Sequence, residues 1–127
     1  MPTKTILRPT GAAAPIGPYN HAVRLGDLLF SSGQIPIDPA TGDLVTGDIK
    51  AQTERVLDNM QIILADQGLT FSNVVKTTVF MIDLAQFAQM NAVYALRFPE
   101  NAPARSTIQV AALPKGASVE IEMIAHY

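Results

Sequence analysis

The sequence has 127 residues, 48% of them hydrophobic, which is enough chain to enclose one core and too little for two, so a single domain over residues 1–127 is expected. Charged residues make up 16% and the formal net charge is −2; no long-range field draws such a chain to nucleic acid or to an anionic membrane. Cysteine is absent, which excludes disulfides, thiolate nucleophiles and thiolate zinc sites. The two histidines, His21 and His126, stand far apart and do not make a histidine-rich metal site. Met1–Pro18 carries no apolar run of signal-peptide length, and no later segment reaches the about 20 apolar residues needed to span a bilayer. A cytoplasmic protein is expected.

Lys4–Arg8 reads as an edge strand, and Pro9–Pro18, with its prolines and glycines, as an irregular arm. Ala22–Leu25 and Leu28–Ser32 form a hairpin through Gly26 and Asp27. A second turn at Asp38–Gly42 separates Ile35–Ile37 from Leu44–Val45. From Asp48 to Gln67 the apolar positions Ile49, Val56, Leu57, Met60, Ile63 and Leu64 recur at helical spacing, with Thr46 or Asp48 as cap and Gly68 as stop. Val74–Ile82 is apolar on both parities, Val75, Val79 and Met81 against Val74, Phe80 and Ile82, which predicts a strand buried on both faces. Asp83 caps a second helix to about Leu96, with Phe87, Met90 and Tyr94 on one face. After the irregular Phe98–Pro103, Arg105–Val110 and Ser118–Ala125 alternate as strands. This order predicts an α+β protein, two helices packed on one face of a mixed sheet. Two helices cover only one face, so the apolar second face predicts a homo-oligomer.

No P-loop, dinucleotide fingerprint, zinc-protease motif or nucleophile elbow occurs. Arg105, where a loop enters an apolar strand, suits a bidentate grip on an anion; a surface arginine covering apolar area with its stem fits the same pattern. Glu120 and Glu122 share one face of the last strand, which is equally the pattern of a plain solvated edge. Tyr19, on the arm, either folds over a pocket or anchors the loop. Ser32 before Gly33 offers a hydrogen bond or simple turn chemistry, and Asn91 lies on the second helix, where its amide would need partners if buried. His21 beside Asn20 has no accompanying nucleophile and reads as a structural or surface histidine.

Taken together and in order, Ile16-Gly17-Pro18-Tyr19, Ser32-Gly33-Gln34-Ile35-Pro36, Val75-Lys76-Thr77-Thr78-Val79-Phe80, Pro103-Ala104-Arg105-Ser106 and Glu120-Ile121-Glu122 closely resemble the RidA (YjgF) family of reactive-intermediate deaminases, over about Ile6 to Ala125. The resemblance implies a chorismate-mutase-like fold assembled as a homotrimer around a central barrel, with active sites between subunits. It implies hydrolysis of 2-imino acids and their enamine tautomers, such as 2-iminobutanoate, 2-iminopropanoate and 2-aminoacrylate, to 2-keto acids and ammonia, with no cofactor and no metal. Arg105 would hold the substrate carboxylate and Glu120 would activate water. Tyr19, Ser32, Asn91 and Thr107 would line the pocket, and Gly33 would let substrate approach the backbone. Two departures stand out: Thr107 replaces the cysteine of many relatives, and the Asn91–Arg105 stretch is shorter than in typical members. The competing expectations are a trimeric module that binds keto acids without turnover, and a ribonuclease, which the negative charge and the lack of a basic, aromatic-interleaved stripe disfavour.

Overall fold

A computed structural model describes residues 3–127. Six strands, β1 (Thr5–Leu7), β2 (Ala22–Leu25), β3 (Leu28–Ser31), β4 (Val74–Met81), β5 (Ala104–Gln109) and β6 (Val119–His126), form one sheet in the order β1-β2-β3-β6-β4-β5. Two helices, α1 (Ile49–Asp66) and α2 (Phe87–Arg97), pack against it. Only β4 and β5 are parallel, as their connection through α2 requires; every other pair is antiparallel. Among the described residues no helix is long and apolar enough to cross a membrane.

The local signals act where expected. Gly26 takes φ 59° in the β2–β3 hairpin and Gly68 φ 70° after α1. Of the two candidate caps, Asp48 is the one used, its carboxylate accepting from the Ala51 N–H at 2.9 Å. All six apolar positions named for α1 are buried. Gln52, Thr53 and Asn59 are buried too, because each has a backbone partner. Gln52 accepts from the Ser118 N–H at 2.9 Å, and Asn59 donates to the carbonyls of Ile35 (3.2 Å) and Ile37 (2.8 Å). The 35–37 segment, which has almost no ladder of its own, is thereby tied to α1.

Strand β4 departs from simple alternation. A register shift between Val74 and Lys76 inserts one extra residue, so Val74 shares the helix side with Thr77, Val79 and Met81, while Val75 is 44% exposed. A bulge of this kind reverses the parity of everything before it. Nor is β4 buried on both faces: Thr78 and Phe80, away from the helices, are only half-buried, and Ile82 beyond the strand is 39% exposed. In the second helix Asp83 caps a short 3-10 turn, Leu84–Gln86, ahead of α2. Met90, Val93 and Tyr94 are the residues α2 buries, whereas Phe87 stays 38% exposed.

The uncovered face carries Leu28, Phe30, Phe80, Ile108 and Ile124 among Thr78, Glu120 and Glu122. On the covered face the buried hydroxyls of Thr77 and Tyr94 meet at 2.7 Å. Removing one partner strands the other in the core, whereas removing both leaves no orphan. Urea denaturation should therefore show Thr77→Val and Tyr94→Phe each destabilising by about 1–3 kcal/mol, and the double variant costing less than the sum of the two.

Candidate active site

The residues singled out from the sequence fall into two groups on opposite faces of the sheet. Arg105 pairs in register with Thr77 and Thr107 with Val79, so both side chains point to the helix side. The Arg105 guanidinium carbon lies 4.7 Å from the centre of the Tyr94 ring and 5.4 Å from that of Phe87, a cation–π cradle that orients the fork. Asn91 stands four residues after Phe87 and three before Tyr94, on the same stripe of α2. Burial pushes the Tyr94 hydroxyl above its ordinary 10.0, with the Thr77 hydrogen bond and the Arg105 charge partly offsetting it; Tyr94 is a neutral phenol. No ion pair within 4.0 Å involves Arg105 among the described residues. The Thr107 Oγ1 is buried without a hydrogen-bond partner. A cation facing no carboxylate, beside an unsatisfied hydroxyl, is a place where an anionic oxygen ligand would be stabilised.

Glu120 pairs with Phe80 and faces the other way. Its carboxylate occupies the space in front of Gly33, where a Cβ would stand 2.3 Å from Oε2 and 2.7 Å from Cδ. A side chain at 33 would displace the Glu120 carboxylate from this position, so what glycine provides here is close approach rather than a backbone angle. Glu120 is half-buried, and its carboxyl is raised above the ordinary 4.5 by that burial first and by the neighbouring Glu122 second. A carboxylate so disposed is a better proton acceptor near neutral pH than an exposed one.

Ser32 uses its hydroxyl to bind the arm, donating to the Asn20 carbonyl at 2.5 Å, while its N–H donates to the His21 carbonyl at 2.8 Å. Tyr19 is 43% exposed, its hydroxyl accepting from the Ile16 N–H at 3.4 Å, and it lines a cavity beneath the arm together with Gly33. His21 is structural, as its lack of a neighbouring nucleophile indicates: it bonds the Ala13 carbonyl through Nε2 and meets Gln34 Nε2 at 3.3 Å through Nδ1. The cavity itself and its buried Gln34 escaped the sequence reading. Two signals bore on it: Tyr19, read as folding over a pocket or anchoring the loop, and the run Ala12–Ala14, small side chains in an arm that must lie on something.

A six-stranded mixed sheet with both helices on one side belongs to the YjgF/L-PSP class of folds. A family model described as Endoribonuclease L-PSP matches residues 10–127. A RutC family protein of Pyrococcus abyssi is 47% identical over 123 residues, 97% of each chain. Reactive Intermediate Deaminase A, chloroplastic, of Arabidopsis thaliana is 47% identical over 122 residues, 96% of this chain and 65% of that one. Among solved structures, E. coli TdcF with bound serine superposes with a TM-score of 0.91 at 40% identity, covering 97% of this chain and 98% of that one. The chain belongs to the RidA (YjgF) family.

Because Glu122 is the second cause of the raised Glu120 pKa, Glu122→Gln should lower it without touching the first. Carboxyl-carbon NMR titration should show the Glu120 midpoint moving toward the ordinary value in the variant but not reaching it; an unmoved midpoint would mean that the two carboxylates do not interact.

Proposed function

We propose that the protein hydrolyses 2-imino acids and their enamine tautomers, 2-iminobutanoate, 2-iminopropanoate and 2-aminoacrylate among them, to 2-keto acids and ammonia, at sites formed between subunits of a homotrimer. The observation that carries this reading is the division of the polar residues. Among the described residues Arg105 faces no carboxylate and Glu120 no cation within ion-pair range, and the two lie on opposite sides of one sheet. Within one protomer they cannot share a substrate. The half-exposed apolar face that bears Glu120 supplies the reason to associate, and association of copies sets the β5 edge of one against the Glu120 face of the next. Family membership and the related deaminase of Arabidopsis support the same reaction class.

In that arrangement Arg105 takes the substrate carboxylate bidentately, with the Asn91 amide and the Thr107 hydroxyl beside it. A protonated imine carbon is already electrophilic, so the remaining work is placement and proton transfer. Glu120 accepts a proton from water as its oxygen bonds to that carbon. The resulting carbinolamine takes that proton from Glu120 onto nitrogen; as the C–N bond breaks and ammonia leaves, the hydroxyl proton returns to the Glu120 carboxylate and the C=O bond of the keto acid forms. No covalent enzyme intermediate and no cofactor enters the scheme. The endoribonuclease description of the family model finds no matching electrostatics in a chain of net charge −2.

A coupled assay, in which an amino-acid oxidase or threonine dehydratase supplies the imine, tests the roles. Arg105→Ala should lower kcat/KM by the equivalent of about 2–5 kcal/mol, with Arg105→Lys recovering only part because a point charge lacks the planar fork. Absence of acceleration by wild type, with binding of 2-ketobutyrate retained, would favour a binding module instead.

Subunit sharing has its own test. When Arg105→Ala and Glu120→Ala chains, each inactive alone, are mixed in equal amounts and reassembled, roughly a quarter of the sites acquire both intact residues from different chains, so about a quarter of wild-type activity should return. Complete failure to complement would place both residues' contributions within one chain.

A further inference from the structure

The cavity beneath the arm has no part in the chemistry described so far. It measures about 160 Å³ and is lined by Ala12, Ala13, Ala14, Ile35, Ile37 and Ile62. Besides the Tyr19 hydroxyl, three polar side chains border it, His21, Gln34 and Asn59, and the N–H hydrogens of these three are committed to the protein. Asn59 Nδ2 donates to the Ile35 and Ile37 carbonyls at 3.2 and 2.8 Å, and Gln34 Nε2 to the Ser32 carbonyl at 3.2 Å and to His21 Nδ1 at 3.3 Å. His21 Nε2 then carries the proton that meets the Ala13 carbonyl. What remains for a guest is mainly apolar surface. Apolar protein cavities of on the order of 150 Å³ admit a guest the size of benzene.

Gly33 connects this space to the reaction centre, since it lines the cavity and also supports the Glu120 carboxylate. Two exposed apolar side chains of the arm, Ile16 at 54% and Tyr19 at 43%, line the same cavity. We propose that the cavity receives the side chain of the substrate, making branched aliphatic and phenyl-bearing 2-imino acids the preferred substrates over those with a methyl or hydroxymethyl group. This selection rests on the deaminase reading above. A methyl group leaves most of the cavity unfilled, and a hydroxyl placed there gives up its water against a mainly apolar lining.

Ile62, half-buried on α1, is remote from Arg105 and Glu120 in role and offers both directions of change. Wild-type kcat/KM for the leucine-derived imine should exceed that for the alanine-derived imine by about tenfold or more. Ile62→Phe should shrink that ratio at least about tenfold, and Ile62→Ala should shift preference toward the phenylalanine-derived imine. Calorimetry with 4-methyl-2-oxopentanoate and pyruvate gives the same ratio without turnover. Imine turnover whose side-chain ratio is unmoved by both variants overturns the cavity assignment and leaves the deaminase standing. A keto-acid ratio that follows Ile62 in a protein that accelerates no imine keeps the cavity and removes the deaminase. If Ile62→Phe fails to fold, Ile62→Ala decides alone, and no preference for the larger keto acid in wild type overturns the inference outright.

Discussion

A β-sheet has two faces, and this chain owns helices for one of them. The constraint is topological: β4 and β5 run parallel, so the connection between them must cross over, and α2 fills that crossover on the same side as α1. Both helices then bury the Val74, Thr77, Val79 and Met81 side of β4 and the alternate residues of β6. The opposite side retains Phe30, Phe80, Ile108 and Ile124, too apolar for a solvated surface and too mixed with Glu120 and Glu122 for a protomer core. A reason for copies to associate follows from that imbalance; that the proposed assembly is a trimer is what the family resemblance implies.

The polar residues obey the same geometry. Strand alternation sends Arg105 and Thr107 to the helix side, where aromatic rings of α2 hold the guanidinium, and sends Glu120 to the open side, where the absent side chain of Gly33 admits its carboxylate. A cation and a carboxylate on one protomer face would form an ion pair and occupy each other. Held on opposite faces, each stays available, Arg105 for an anion and Glu120 for a proton, the latter favoured by burial and by Glu122. Stability is traded for this readiness: an unsatisfied Thr107 hydroxyl and a half-buried carboxylate without a cation are both costly features.

The arm from Pro9 to Asn20 is held by side chains rather than by a ladder. Ser32 binds the Asn20 carbonyl, His21 the Ala13 carbonyl, and Asp66 accepts from the Thr10 N–H at 3.2 Å. A segment fixed at a few points over small residues leaves space beneath it, and that is where the apolar cavity lies.

Much of the architecture was legible in the sequence because it depends on local physics. The period of Ile49 to Leu64 dictates a helix, Asp48 and Gly68 its ends, Gly26 the hairpin, and the alternation of Val119 to Met123 against Glu120 and Glu122 the last strand. The candidate residues were legible only as ordered motifs resembling a family; singly, Arg105 and Glu120 each fitted a bland surface role. Three things needed the tertiary structure. The bulge at Val75 altered the face of Val74, because register belongs to the pairing of β4 with β6 and not to either strand alone. The placement of Arg105 and Glu120 on opposite faces required knowing which strands pair and on which side the helices lie. The cavity beneath the arm required the distant contacts of Ala13, Ile37 and Ile62, since empty space is a property of packing between segments and leaves no periodic trace in the chain.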